Sequence, residues 1–249
     1  MSRAGAIRAL LVGGAIAALE AACRLGAVPR ATIIPPSEMA AELVRLLGSG
    51  ELRPHLVETL GNVLLSLALA ALAGFALGLL LHRLPRLRRL LDPLLVTWYA
   101  VPFFVFYPTL IVLFGMNRGA IVAIGFLFAV VAMVVGTLNG LDRIPRVLRK
   151  VARVHRLGPL GEALRVSLPS AAPWVFAGLK LSVAYAFVGV IAAEFILSSS
   201  GLGYSIAYAY NDFENRRMYA LMLLVIALTT TVNSALHAWE GRLRRRRGL

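Results

Sequence analysis

The stretch Asn139–Ser170, NGLDRIPRVLRKVARVHRLGPLGEALRVSLPS, is the longest polar interruption in an apolar chain. It carries six arginines and one lysine against two acids, and apolar segments of membrane-spanning length flank it on both sides. Four apolar residues recur in it at three- and four-residue steps, with basic residues between them: Val147, Val151, Val154 and Leu157. This spacing is typical of an amphipathic helix. We therefore predict short helices over Arg146–Leu157 and Leu160–Leu168, the second ending at Pro169.

The hydropathy of the chain indicates a membrane protein. Hydrophobic residues make up 59% of it, and the mean hydropathy is +0.78, whereas soluble domains are about half apolar. Six segments have few or no charges and are long enough, or nearly so, to cross the hydrocarbon core: 9–23, 59–82, 93–117, 119–141, 166–193 and 218–239. Because an open sheet edge cannot be hydrated in lipid, each segment is expected to be a helix. The sequence thus predicts an all-α, polytopic membrane protein with about six transmembrane helices.

The basic residues predict an orientation in the membrane. With the N-terminus inside, eighteen of the 26 lysines and arginines fall on the cytoplasmic side, and seven on the other. This bias is typical of membrane topology and places both termini in the cytoplasm. It explains the net charge of +14 through topology and contact with the lipid bilayer, so we do not expect a nucleic-acid partner.

The chain divides at its second membrane segment. Residues 1–57 contain the first helix and an external amphipathic segment, and residues 58–249 contain the remaining spans and the basic loop 139–170. The basic start of the chain also fits a cleaved signal peptide, although a retained helix is favoured. Ser37 follows a proline turn and is expected to be the N-cap of a surface helix over Glu38–Leu47.

The third span and the fifth span contain unusual residues. Leu90-Leu91-Asp92-Pro93 opens span three, which then contains Pro102, Pro108 and many aromatic side chains, so a kinked helix is expected. Span five contains Lys180 and ends near Glu194, 14 residues later and about 21 Å along a helix. Each of these two charges needs another partner, and charged residues within a membrane are candidates for function.

The basic loop resembles the cytoplasmic loop with which ABC importer permeases dock on their ATPase subunit. In that family the pattern is E-A-A, three residues, G, nine residues and I-x-L-P. Counting back from Leu168-Pro169 without gaps places Val166 at the isoleucine and Val151-Ala152-Arg153 after the glutamate position. Lys150 occupies the glutamate position and Arg156 the glycine position, so the motif is degenerate. Gly158 is the displaced glycine only if two residues are missing downstream.

Other stretches resemble the nitrate, sulfonate and taurine subgroup of these permeases. They include Gly50-Glu51-Leu52 before span two, the arginine-rich turn that leads into Asp92-Pro93, and the proline pair in span three. The most specific match is Ala193-Glu194 followed by Ser199-Ser200-Gly201-Leu202-Gly203-Tyr204. The resemblance covers roughly Ile33 to Leu243.

The resemblance implies an assembly in the bacterial inner membrane. It implies a type I importer permease fold, a second permease subunit (identical or related), two ATPase subunits and a periplasmic or lipid-anchored solute-binding protein. It also implies that this chain binds no cofactor, because ATP and Mg²⁺ belong to the ATPase. The sequence agrees, since it has no glycine-rich phosphate loop ending in Lys-Ser or Lys-Thr.

The resemblance also assigns residues to two sites. Residues expected to couple to the ATPase are Arg146, Arg149, Lys150, Val151, Ala152, Arg153, Arg156, Gly158, Val166, Leu168 and Pro169. Residues expected along the substrate pathway, with spans three and five as its walls, are Trp98, Tyr99, Pro102, Phe103, Lys180, Tyr185, Glu194 and Ser199. Two alternatives remain open: a membrane enzyme that uses Glu194 and Lys180 as acid and base, and a non-transporting scaffold.

Overall fold

The computed structural model describes residues 3–29, 32–101 and 103–246, and all regular elements in these ranges are helical. In chain order they are α1 (Arg3–Arg24), α2 (Pro36–Ser49), α3 (Arg53–Arg83), α4 (Pro85–Thr97), α5 (Tyr107–Phe114), α6 (Arg118–Asp142), α7 (Arg146–Val154), α8 (Pro159–Glu162), α9 (Leu168–Leu197), α10 (Leu202–Asn211) and α11 (Asn215–Arg246). The prediction of an all-α fold is confirmed.

Four helices in the described ranges are long and apolar enough to cross a membrane. They are Arg53–Arg83, Arg118–Asp142, Ala163–Leu197 and Asn215–Gly241, and they coincide with the predicted spans two, four, five and six. The first predicted span lies within the 22-residue α1, which is not one of these four. An uninterrupted helix satisfies its own backbone hydrogen bonds, as the hydrocarbon core requires.

The third predicted span is broken rather than kinked. It consists of the end of α4, short 3-10 turns at Trp98–Ala100 and Phe103–Phe106, and then α5. Residues that precede proline disfavour the helical conformation, and Val101 is accordingly extended, with φ −81° and ψ 121°. Pro102 itself lies outside the described residues. Pro108 stands in the first turn of α5, where a missing N–H is tolerated, so it starts a new helix instead of bending an old one.

The start of this segment also differs from the expectation. The helix α4 begins at Pro85, so Asp92 and Pro93 lie inside it and not at its first turn. Three leucines spaced along α4 and the tryptophan that follows the helix pack against the main core: Leu87, Leu91, Leu95 and Trp98. Pro93 thus lies in the interior of α4, where it lacks the N–H that would close one intrahelical hydrogen bond.

The core is formed by α3, α6 and α9. In α6, 72% of the apolar window is buried, against 17–39% in the other three long helices. Glycines bring α6 and α9 together, because a Cβ on Gly136 would lie 2.5 Å from the Cα of Gly178. Small residues allow this close approach in membranes. This burial makes α6 the central packing helix of the bundle.

The bundle has two distinguishable ends. At one end, buried Leu141 and Ile144 pack with Ala171, which brings the end of α6 next to the start of α9. We call this the basic end because it carries the basic loop. At the opposite end, a separate cluster packs α2, the start of α3, α10 and α11 together through Leu46, Leu52, Leu202 and Leu221.

The N-terminus of α2 is capped differently from the prediction. The residue before the helix is Pro35, and no side chain of α2 caps it. Instead the carboxylate of Glu20 on α1 accepts hydrogen bonds from the Ser37 backbone N–H, at 3.0 Å, and from the Ser37 hydroxyl, at 2.7 Å. A carboxylate is a stronger acceptor at a helix N-terminus than a hydroxyl. The prediction that Ser37 is the N-cap was therefore wrong.

Candidate docking site and substrate pathway

The helix α7 presents an apolar stripe to solvent. Val147, Val151 and Val154 follow one face and are 67%, 45% and 79% exposed. Ala152 faces the bundle and is buried, while Lys150 is exposed beside the stripe. Exposure of a contiguous valine stripe to water is unfavourable, so this face is suited to contact with another protein.

The C-terminal end of α7 shows why the motif calls for glycine at the position that Arg156 occupies. The helix ends at Val154 and not at the predicted Leu157. Arg156 then adopts a left-handed conformation with φ +50°, and the Leu157 N–H donates to the Ala152 carbonyl at 3.0 Å. This pattern is a Schellman motif, in which glycine is strongly preferred at the left-handed residue. Gly158 is not among the glycines with positive φ, which supports the gapless alignment.

The second predicted docking helix, Leu160–Leu168, corresponds to the short helical turns that lead into α9. A four-residue helix, α8, leads into a π-helical turn at Ala163–Ser167, and α9 follows at once. Pro169 therefore does not end a helix, as predicted, but lies in the first turn of α9. The Leu168 N–H donates to the Ala163 carbonyl five residues back, and this widened turn leaves room for the proline ring. Val166 and Leu168 are half-buried in this continuous helix, and Pro169 is exposed.

The predicted pathway walls meet at a pair of tyrosines. The rings of Tyr99, in the broken third segment, and Tyr185, on α9, are stacked with centroids 4.4 Å apart and planes 17° apart. Beside them the Trp98 indole N–H donates to the Leu127 carbonyl on α6 at 2.9 Å. Trp98 also lines a cavity of about 400 Å³ whose other walls are apolar apart from two threonines. Pro102 and the side chain of Phe103 lie outside the described part of the chain.

Lys180 has its partner on another helix. Its ammonium group forms an ion pair with Glu240 near the end of α11. The Glu240 side chain is 9% exposed and that of Lys180 is 24% exposed. The expectation that Lys180 requires another partner than Glu194 agrees with this contact. The sequence signal for Glu240 was weak, since it lies just after the charge-free window 218–239.

Glu194 is fully buried and is held by three donors. Its Oε2 accepts from the Thr59 hydroxyl at 2.7 Å and from the Gly203 N–H at 3.2 Å, and its Oε1 accepts from the Asn62 amide at 3.0 Å. The Thr59 hydroxyl in turn accepts from the Leu202 N–H at 2.8 Å. A group whose partners all donate fits a carboxylate, which accepts only. Glu194 therefore fastens the turn after α9 to α3.

The Glu194 cluster extends to a cation. Arg118, the first residue of α6, donates through Nε to the Asn62 side-chain oxygen at 2.8 Å. Ser199, in the turn, is exposed and takes no part in this network. The sequence analysis did not identify Thr59 and Asn62. They could have been recognised as two polar residues in an apolar span, because a separation of three positions places them on one helix face.

The basic end carries a further cluster that the sequence reading did not predict. Arg88 on α4 donates two hydrogen bonds to Asp142, the last residue of α6, at 2.9 and 2.7 Å. His82 Nδ1 lies 3.2 Å from the same carboxylate. The hydrogen bonds to Asp142 raise the pKa of Arg88. The next residue, Arg143, stacks over Trp174 of α9 at 3.9 Å from the ring centroid.

The other residues of the predicted docking set also lie on this end of the bundle. Arg146 is exposed in the first turn of α7, and Gly158 is exposed just before α8. The side chains of Arg149 and Arg153 lie outside the described part of the chain, so their predicted contacts stay predictions. The structure thus places the described residues of the predicted docking set at the basic end, and Glu194 and Ser199 at the opposite end.

Comparison with known proteins places the chain in a family. Residues 67–248 match the family of the binding-protein-dependent transport system inner membrane component. The chain is 29% identical over 171 residues to the nitrate import permease protein NrtB of Leptolyngbya laminosa, covering 69% of this chain and 61% of that protein. It is 28% identical to the putative aliphatic sulfonates transport permease protein SsuC of Bacillus subtilis, covering 97% of this chain and 88% of that one.

A solved structure agrees in fold. A chain of the MetNI methionine ABC transporter, in an inward-facing conformation, superposes with a TM-score of 0.62 at 21% identity, covering 76% of this chain and 92% of that one. The predicted permease fold and the resemblance to ABC importer permeases are thereby confirmed. The chain belongs to the family of binding-protein-dependent transport system inner membrane components.

Proposed function

We propose that this chain is the membrane permease subunit of an ATP-driven importer, and that it docks its ATPase through α7. The observation that carries the proposal is the exposed valine stripe of α7, on the basic loop of a chain from this family. Three valines in water are unfavourable for an isolated protein, and each stabilises a complex when covered. The surrounding cations would give such a contact its orientation.

The proposed assembly contains a second permease, two ATPase subunits that bind ATP and Mg²⁺, and an external solute-binding protein. Exposed apolar side chains on α9, such as Leu181, Val188 and Ile196, provide a surface for the second permease or for lipid. In this assembly the basic end faces the cytoplasm, and both termini lie there. Spans three and five form the pathway walls, with Tyr99 and Tyr185 at their contact.

The proposed substrate is a small anion. Two relatives carry names that refer to nitrate and to aliphatic sulfonates, and these substrates share an oxygen-rich negative charge. The geometry does not favour an enzyme that uses Glu194 and Lys180 together. Lys180 is paired with Glu240, and Glu194 is buried among donors from α3 and the turn after α9.

Copurification tests the docking. Wild-type chain should carry an ATPase subunit through purification in mild detergent, whereas Val147→Asp with Val151→Asp should release it. Val44→Asp is the matched control, because Val44 is 70% exposed on α2 at the opposite end. Retention of the ATPase by the double variant would refute docking through α7. A wild-type chain without any ATPase would refute the importer itself.

A further inference from the structure

The ion pair between Arg88 and Asp142 connects the docking loop to the helix that leads into the broken third segment. Asp142 ends α6, four residues before α7 begins at Arg146. Arg88 is the fourth residue of α4. The two-point contact, at 2.9 and 2.7 Å, fixes the orientation of both side chains as well as their distance. The end of α6 is thus held to α4 directly in front of the docking helix.

The other end of α4 reaches the pathway. Ten residues after Arg88, about 15 Å along a helix, Trp98 donates to the Leu127 carbonyl of α6. The following residue, Tyr99, stacks on Tyr185 of α9. The helix α4 is therefore fastened to α6 by one polar contact near each end. A displacement of the basic loop that moves Asp142 would therefore move α4 as a rigid body, and the chain would bend at the extended backbone of Val101.

The residue after Asp142 is fixed to a different helix. The Arg143 guanidinium stacks on Trp174 of α9, and Ile144 is buried beside Ala171 of α9. Asp142 and Arg143, two adjacent residues, thus connect the start of the basic loop to α4, which leads into the turn with Tyr99, and to α9, which carries Tyr185. An arginine–aspartate pair that is about a third exposed contributes little to stability. The two hydrogen bonds are better explained by a role in fixing the orientation of α4 relative to the end of α6 than by a role in stability.

From these contacts we infer that Arg88 and Asp142 are positioning residues that transmit motion of the docked ATPase to the third segment. The inference rests on the proposed function. It assigns the transmission route within this chain, which the family assignment does not specify. Coupling between distant sites requires a rigid element whose equilibrium both sites bias. The helix α4 is such an element, because polar contacts hold it to α6 near both of its ends.

The test measures the ratio of substrate-stimulated to basal ATPase activity in the assembled complex. Arg88→Gln and Asp142→Asn should each lower the ratio at least about fivefold, while the ATPase still copurifies and basal hydrolysis continues. The double variant should be no worse than either single one, because both remove the same contact. Exchanging the charges, Arg88→Asp with Asp142→Arg, should restore part of the ratio. Arg86→Gln, at an exposed arginine on the same helix, is the control and should change nothing.

The outcomes separate this inference from the proposed function. If the wild type couples and both single variants keep its ratio, the transmission route is wrong and the importer stands. Equal loss in Arg86→Gln would also overturn the route, since any basic residue of α4 would then matter. If the single variants lose the ATPase itself, the pair belongs to the docking surface and does not transmit motion. A wild-type chain without an ATPase partner would overturn both.

Discussion

Replacing Arg156 by glycine tests the end of α7 directly. Arg156 has φ +50°, a conformation that costs an L-residue about 1–2 kcal/mol and glycine almost nothing. Glycine loses about 0.5–1 kcal/mol of this gain, because its unfolded chain is more flexible. We therefore expect Arg156→Gly to stabilise the Schellman motif by about 0.5–1 kcal/mol, which is a change of about two- to fivefold in the local opening equilibrium.

Hydrogen exchange at the amide of Leu157 is the assay, since this N–H donates to the Ala152 carbonyl and closes the motif. The amide should exchange about two- to fivefold more slowly in Arg156→Gly. Gly158→Ala is the matched control and should not speed the exchange, because Gly158 lacks a positive φ and a Cβ there would meet no atom within 4 Å. Faster exchange in Gly158→Ala, with no change in Arg156→Gly, would show that Gly158 is the displaced family glycine.

Three further substitutions test the packing and the buried charges. Gly136→Ala should destabilise the chain by about 1–3 kcal/mol, seen as a lower midpoint of thermal unfolding in detergent, because its Cβ would meet Gly178 at 2.5 Å; an unchanged midpoint would contradict this contact. Lys180→Met should lower stability by about 3 kcal/mol by leaving Glu240 unpaired, and adding Glu240→Leu should restore much of it; additive losses would contradict the ion pair. Glu194→Gln should lower stability by about 1–3 kcal/mol, because the new amide NH₂ would face groups that already donate to the carboxylate. It should also lower transport, and wild-type transport would show that the charge has no role.

The sequence predicted most of the long helices because their signal is local. In windows without charge, such as 119–141, the backbone must form its hydrogen bonds within the segment, as a helix does. The helix α6 covers that window. In the third segment the prolines signalled an interruption, but whether a helix kinks or breaks depends on tertiary contacts such as that of Trp98 with Leu127.

The partners of the charged residues were not predictable from the sequence. Lys180 and Glu240 are 60 residues apart, and Glu194 lies 135 residues from Thr59, so only the fold brings them together. The glycine position in the basic loop, by contrast, was predictable from the sequence. Counting along the motif placed glycine at Arg156, and the left-handed backbone there gives the physical reason for a glycine. The π turn before Pro169 left no pattern that spacing alone reveals.

Uptake into proteoliposomes tests whether the chain is the permease of an ATP-driven importer that docks its ATPase through α7. The chain would be reconstituted with its copurified ATPase subunit, with ATP enclosed on the side of the basic end and the solute-binding protein on the other. Labelled nitrate and a labelled short aliphatic sulfonate would be supplied with the binding protein, and a neutral solute of similar size would be the control. At least one anion should accumulate only with ATP, and Val147→Asp with Val151→Asp should abolish the accumulation. Accumulation that is independent of ATP, or that persists in this double variant, would contradict the proposed function.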